Sequence, residues 1–519
     1  MTEPPSHPRP NSPDPGRRAW APPSAAAAPA TGRPVPAGPV RLPRRDPLLI
    51  KEWRRPVRPA SPALLVRAAV AGVLAAVLFP GRPGLNVPLV VVAEIVALAP
   101  AARRNRTSIV FATLTLALSA LPALVDAGWV VALAIALAVP LGSYAVYGGR
   151  SWIDLVGGGL AFAPAAPRSV PWAGRGLVAV ATSRRRPSGA VVGSVVLAAV
   201  LLVVFGALFV TADAAFGRAV AGLLPDVGIG SLIVRILVFG AGAIVVLTGA
   251  FLTVAPPRFA RPPVASHIGR TPWAIPIVAL DLLFLGFVAI QADVLLASNR
   301  DRLLRSTGLS YAEYARRGFW QLLVVTGLVL VVVAVAVRYA PVRSRADRVT
   351  VRSLLGLLCG LTLVVVAVAL RRLFLYEEAY GWTRLRLWVH AFELWMGLVI
   401  VLVAVAGIRL KAAWLPRAVA AAGAVGLLAL GLLNPDGFIA AHNVDRFRHT
   451  GSADLAYLAG LSADAVPALD RLPEPQRSCV LRHLEGSLRR GDSWSRFNLS
   501  RAQARDVLRR HPVQPSSTC

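Results

Sequence analysis

The sequence predicts an all-α fold: a polytopic bundle of transmembrane helices with a disordered N-terminal tail and a small helical C-terminal module. Three observations carry that prediction. Of 519 residues, 55% are hydrophobic and only 16% are charged, with a mean hydropathy of +0.60, which is too apolar for a soluble domain of ordinary composition. Apolar runs long enough to cross a hydrocarbon core of about 30 Å, which takes roughly 17 to 25 residues, recur from residue 62 to residue 433. The basic residues behind the formal net charge of +30 fall between those runs, where they read as topology signals and not as one nucleic-acid-binding face. A soluble enzyme and a nucleic-acid binder are both excluded on these grounds.

Residues 1–60 are crowded with Pro, Ala and Arg and lack apolar periodicity, so they are expected to form a disordered basic tail without a signal-peptide stretch. RLPRRDPLLIKEWRRPVR then loads positive charge ahead of the first run, with Trp53 as an interfacial anchor. The transmembrane domain, residues 61–433, is read as eleven spans, with ten to twelve as the range. They fall at 62–79, 85–101, 108–125, 128–147, 189–211, 231–254, 273–296, 319–340, 350–372, 387–408 and 413–433. Each run must satisfy its own backbone hydrogen bonds in lipid, which leaves the helix.

With the N-terminus inside, the inner loops at 102–107, 148–188 and 255–272 hold 3, 6 and 3 arginines, against 1, 0 and 1 in the outer loops at 80–84, 126–127 and 212–230. That bias places the N-terminus in the cytoplasm and, after eleven spans, the C-terminus outside it. In the second half the bias fades, because the expected outer loops at 297–318 and 373–386 are also rich in arginine. SWIDLVGGGLAFAP, inside 148–188, is too glycine-rich for a span and reads as an interfacial or re-entrant piece. SYAEYARRGFW reads as a short amphipathic helix with Ser310 and Glu313 as a capping box and Tyr311, Tyr314 and Trp320 at the interface. Small-residue clusters such as Gly240, Ala241, Gly242 and Ala243 are helix-packing surfaces.

The C-terminal module, residues 434–519, opens with NPDGFIAAHNVDRF, where Asn434 can cap a helix that begins at Pro435. LSADAVPALDRL and LSRAQARDVLRR each place a serine before an apolar-periodic stretch. The module is small for an independent domain, so it is expected to pack against the membrane part or a protein partner.

Chemistry-bearing motifs are scarce. Only Lys51 and Lys411 are lysines and neither follows a glycine, so there is no phosphate loop. HExxH, GxSxG and dinucleotide fingerprints are missing too, and no cofactor or metal is expected. Cys359, Cys479 and Cys519 form no CxxC pair, and a bridge between Cys479 and Cys519 would require the tail to lie outside the cytoplasm.

The ionisable groups inside apolar runs are the sharpest signals, since a charge in lipid costs on the order of 3 kcal/mol. Glu94, Asp281, Asp293, His390 and Glu393 stand out, whereas Arg67, Arg235 and Arg352 sit near span ends and can snorkel. Glu94 and Asp281 are either hydrogen-bonded across helices in neutral form or part of a translocation path. Asp281 and Asp293 are twelve residues apart, so they sit about 120° apart around a helix. Arg386, His390 and Glu393 share a helical face and can satisfy one another. The bland reading is an ion-pair network fixing helix packing. The functional one is a proton-coupled or substrate-binding site, and an HxxE pair supplies too few ligands for a metal. Glu377 and Glu378 precede that helix, close to Arg371 and Arg372 of the preceding one, as a polar, aromatic corner between two spans.

YAEYARRGF, LYEEAYGWTRLR and NPDGFIAAHNVDRF followed by DLAYLAGLSADAVPAL resemble, over roughly residues 180–475, a family of bacterial polytopic membrane proteins known as a domain of unknown function of the DUF4153/DUF4173 type. The resemblance implies an integral membrane protein and brings no activity, cofactor or catalytic residue. The expected function is therefore non-enzymatic: a transport-like or envelope-associated protein of the bacterial inner membrane whose polar corner (Arg371, Arg372, Glu377, Glu378, Arg386, His390, Glu393) receives a solute, a lipid headgroup or a partner. One rival is a membrane-embedded transferase on a lipid-linked substrate, which the absence of an acid in the first outer loop, PGRPGLN, counts against. The other is a scaffold or sensor acting through the C-terminal module.

Overall fold

Ten of the eleven expected spans coincide with a helix, and three of those helices begin at a capping side chain, Ser61, Asn105 or Ser344. The computed structural model describes residues 50–53, 56–79, 81–102, 105–182, 229–259, 268–296, 319–409, 412–489 and 491–514, with single positions at 198, 201, 205, 209 and 213. The span expected at 189–211 and the capping box at Ser310 lie outside the described residues.

Ser61 caps α1 (Pro62–Leu78), with Pro62 at its first position, where a missing N–H costs nothing. α2 (Asn86–Leu98) follows, then α3 (Arg106–Leu124), whose cap Asn105 accepts from the Ser108 amide, and α4 (Gly128–Tyr147). α7 (Ile229–Val254), α8 (Arg270–Leu296), α9 (Phe319–Tyr339), α10 (Arg345–Tyr380), α11 (Arg384–Arg409) and α12 (Leu415–Leu432) complete the membrane part. Among the described residues eight of these helices are long and apolar enough to span a membrane, whereas α1 and α2 have only 17 and 13 residues. The many exposed valines and leucines, such as Leu282, Leu283, Val331 and Val335, are what lipid-facing surfaces require.

SWIDLVGGGL forms a helix, α5 (Trp152–Leu160), started by a complete Ser151/Asp154 capping box, and α6 (Phe162–Ala181) continues from it. The described residues ahead of α1 are anchored to the membrane part. Trp53 donates its indole N–H to Ala255 O (2.8 Å), Trp172 donates to Arg58 O (2.9 Å), and the strand Ile50–Glu52 pairs antiparallel with Arg258–Phe259. The indole bonds and the burial of Pro56 and Ala60 explain why this end of the tail is fixed.

One correction bears on the site. Residues 373–386 were expected to be a loop, yet α10 runs unbroken for 36 residues to Tyr380 and leaves only 381–383 as connector. A helix of that length spans about 54 Å, well past the hydrocarbon core. It lacks proline throughout and starts at a Ser344/Asp347 capping box, so nothing stops it before Gly381.

The C-terminal module contains α13 (Pro435–Thr450), α14 (Leu455–Ala459), α15 (Val466–Leu469), α16 (Gln476–Leu488) and α17 (Leu499–Arg510). Asn434 caps α13 from a left-handed conformation, and Pro435 is its first residue as read. α17, in contrast, is capped by Asn498 and not by Ser500. The module does not stand apart: Ile439, Val444, Leu469 and Leu481 share one hydrophobic core with Leu118, Leu121 and Val130 of α3 and α4.

Hydrogen bonds sort the connectors onto two ends of the bundle. At one end, Ile268 N–H reaches Tyr339 O (3.4 Å) and Arg417 Nη1 reaches Thr107 Oγ1 (3.1 Å), near the starts of α8, α3 and α12. At the other, the module covers the turns after α1 and α3: Leu85 N–H donates to Phe497 O (2.9 Å), and Asn498 Nδ2 donates to Pro122 O (2.8 Å) and Val125 O (2.9 Å).

Candidate functional site: a polar corner under the C-terminal module

The turn between α10 and α11 sets the geometry. Gly381 has φ +79° and a nearly extended ψ, a conformation open to glycine and strained for other residues. A side chain there would run into Asn443 Oδ1. Asn443, on α13, instead pairs with both main-chain groups of Trp382, accepting from its N–H (3.0 Å) and donating to its carbonyl (2.9 Å). The module therefore grips the connector as a sheet neighbour would.

Trp382 in turn stacks on His390 (5.3 Å between ring centres, 29°) and meets Phe438 edge-on at 5.0 Å, while Phe438 lies 4.0 Å from the His442 ring. Beneath this aromatic cover His390 Nδ1 is 3.1 Å from Glu377 Oε1, and Glu377 is only 1% exposed. The alignment of that contact is poor for a hydrogen bond, and both Glu377 oxygens are otherwise without a donor among the described residues. Arg386 places its guanidinium 4.2 Å above the Tyr376 ring and donates to Gly381 O.

The expected mutual satisfaction of Arg386, His390 and Glu393 is thus not what the fold builds. His390 turns to Glu377 on α10, and Arg386 turns to the connector and Tyr376. Glu393, fully buried, meets Thr326 Oγ1 of α9 at 3.3 Å, and its Oε2 has no hydrogen-bond partner among the described residues. The cause is the uninterrupted α10, which brings Glu377 alongside the first turns of α11. Glu378 and Arg371 are exposed and Arg372 is half-buried, all three on α10 itself and not across a loop.

The other intramembrane acids lie elsewhere. Asp281 is buried on α8, and neither of its oxygens has a hydrogen bond among the described residues. Glu94 is half-buried on α2 and lines an apolar cavity of about 360 Å³ between α2, α3, α4 and α7. The side chain of Asp293 lies outside the described residues. Among the described residues no three His, Cys, Asp or Glu side chains are grouped to hold a metal ion.

Sequence reading missed the charged clasp around the corner. Asp436, fully buried at the start of α13, takes two bonds from Arg384 (Nε 2.9 Å, Nη2 2.5 Å), one from the Trp129 indole (3.2 Å) and one from the Ser462 amide (2.9 Å). Burial pushes its carboxyl up, but the Arg384 guanidinium and the Ser462 donors outweigh that and hold it below the usual carboxylate range. Asp464 behaves oppositely: burial raises its pKa, and the Ser462 hydroxyl (2.6 Å) and Asp126 amide (2.9 Å) recover only part of the shift. Arg501, 2% exposed, bridges Asp126 (2.7 Å) and Asp492 (3.0 Å) and donates to Pro83 O and Arg496 O. The one legible signal was Asp436 in the first turn of a well-capped helix, where an acid is favoured for local reasons alone.

A family model described as "Domain of unknown function (DUF4153)" matches residues 112–472. That stretch contains the whole corner and Asp436, reaches further toward the N-terminus than the motifs that carried the resemblance, and stops short of Arg501. No curated protein and no solved structure matches the chain.

Proposed function

The chain belongs to the DUF4153 domain family, and from that premise we propose a non-enzymatic, transport-like or envelope-associated protein of the bacterial inner membrane. In this reading the Glu377–His390 corner takes up a proton or a small cationic solute from the outer side. One observation carries it: a carboxylate almost wholly removed from water whose nearest cationic candidate is an imidazole held 3.1 Å away. A buried carboxylate needs a donor, and an imidazole can deliver or receive the proton as the corner changes state. Arg386, the other cation at hand, is engaged by Gly381 O and Tyr376.

The outer placement rests on the arginine bias of the first half of the chain, which puts the corner and the C-terminal module in the envelope. The transferase reading has less support. The first outer turn carries no acid, and the module covers it through Arg496, Phe497 and Arg501.

Paired topology reporters fused after residues 380 and 440 test the orientation, and both are expected to report outside. Hydrogen exchange of α13 between about pH 5 and pH 8 tests the corner in purified full-length protein. The wild type should show a pH-dependent opening that Glu377→Gln flattens. Identical profiles in the two proteins would sink the proton or cation reading.

A further inference from the structure

α6, at the far end of the bundle from the corner, has a composition of its own. FAPAAPRSVPWAGRGLVAVA contains two arginines two turns apart and no acid. Its buried face, Ala165, Ser169, Trp172, Ala173 and Gly176, packs on α1, α7 and the 56–60 segment, with Gly176 pressed so close to Ala60 O that a Cβ would not fit. Arg168 and Arg175 are exposed on one flank of the helix, and Val170 (52%) and Val178 (63%) are exposed further around it. A helix that exposes guanidinium groups on one flank and bare valines on the rest of its open side suits neither bulk water nor hydrocarbon, and fits the headgroup band between them.

A cavity of about 640 Å³ opens beside this helix, walled by Trp53, Pro56, Pro171, Trp172 and Phe251 and lined by both arginines. Its walls are pinned, since the indoles of Trp53 and Trp172 are each bonded to a main-chain carbonyl. The arginines are pre-set too. Arg168 Nη1 donates to Pro164 O (2.6 Å) with its guanidinium 4.5 Å from the Trp53 ring, and Arg175 Nη2 donates to Pro56 O (3.3 Å). Neither forms an ion pair with an acid among the described residues, so within them two guanidinium forks line one cavity without an anion.

We propose that this cavity binds a phosphate group, and specifically that of an anionic phospholipid in the leaflet at this end of the bundle. Arginine forks match phosphate oxygens geometrically, the aromatic and proline walls accept the glycerol and upper acyl carbons, and the exposed valines place the site at the bilayer interface, where a soluble phosphate has no advantage. The site is independent of the polar corner.

Native mass spectrometry of the full-length protein in detergent tests it, with phosphatidylglycerol, phosphatidylcholine and inorganic phosphate as probes. Wild type and Arg409→Gln, an exposed arginine at the same end, should retain phosphatidylglycerol over phosphatidylcholine. Arg168→Gln/Arg175→Gln should weaken retention about tenfold or more, in line with two lost cationic contacts to an anionic headgroup. Equal retention of the two lipids by wild type overturns the proposal without recourse to any variant, as does undiminished phosphatidylglycerol binding by a folded double variant. Displacement of the lipid by inorganic phosphate would overturn the lipid assignment and make the site one for a free anion.

Discussion

Replacing Arg501 by glutamine should undock the end of the C-terminal module while leaving the membrane helices in place. The guanidinium sits 2% exposed between Asp126 and Asp492 and also satisfies two main-chain carbonyls, Pro83 O and Arg496 O. Removing one partner of a buried ion pair costs about 3 to 5 kcal/mol. The lower end applies here, because Asp126 is a quarter exposed and can be hydrated, and Asp492 keeps Arg505 at 2.9 Å. A loss of about 3 kcal/mol corresponds to a shift of roughly a hundredfold in the docking equilibrium. Amide exchange reads it directly. The Leu85 N–H, bonded to Phe497 O, and the amides of α17 should exchange about a hundredfold faster, with α10 and α11 unchanged. An acceleration of less than about threefold would refute the idea that this clasp holds the module down. The pH dependence has a definite sign. Burial pushes the Asp492 carboxyl up, Arg501 and Arg505 more than reverse that, and the net shift is downward. A carboxyl lowered in the folded state contributes stability above its unfolded value of about 3.9 and loses it as pH falls through the folded value. In wild type the contribution of this carboxylate should therefore fade only in acid, below about pH 4, and in Arg501→Gln it should be smaller throughout.

Asp436→Asn should lower stability by about 2 kcal/mol near neutral pH, discounted from the buried-pair value because Arg384 is partly exposed. Since the Asp436 carboxyl is held low in the folded state, the difference from wild type in thermal melts should shrink as pH drops below about 4. Gly381→Ala should cost about 1 to 3 kcal/mol of melting stability through its backbone conformation alone, with more from the collision with Asn443. A neutral result would show that the connector relaxes freely. Two glycines of one cluster should behave oppositely: Gly242→Ala pushes against Ala75 and Gly72 of α1 and should destabilise, whereas Gly240→Ala meets nothing within 4 Å and should be neutral or stabilising by up to about 1 kcal/mol. Equal melting points for the two would remove the packing argument.

Helix positions were legible because lipid leaves a long apolar run one backbone solution, and the caps at Ser61, Asn105 and Asn434 are local chemistry visible in a few residues. The corner was legible only in composition. Hydropathy ends a span where the apolar residues end, so RRLFLYEEAY looked like a loop, although no residue in it breaks a helix and α10 continues to Gly381. That single misreading changed the partners. With a loop, Glu377 is free to face Arg371 or Arg372 and Arg386 is left to pair with Glu393. With a helix, Glu377 is carried up beside His390, and Glu393 is left to Thr326. Partners 52 or more residues away in the chain, such as Asp436 for Arg384, leave no periodic trace at all.

The arginines that blurred the topology signal in 373–386 acquire a reason from the same geometry. Arg384 is taken up by Asp436, and Arg386 by Gly381 O and Tyr376. Both are recruited by the docking of the module and the closing of the corner. At the opposite end Arg67, Arg168 and Arg175 bond to main-chain carbonyls and Arg417 to the Thr107 hydroxyl and a carbonyl. Arginines committed to a folded partner say little about membrane side, whereas those left facing the interface are the ones a positive-inside bias can sort. The first half of the chain, where the arginine bias between loops is clear, is where orientation should be read. The paired reporters after residues 380 and 440 ask whether that half alone suffices to orient the whole bundle.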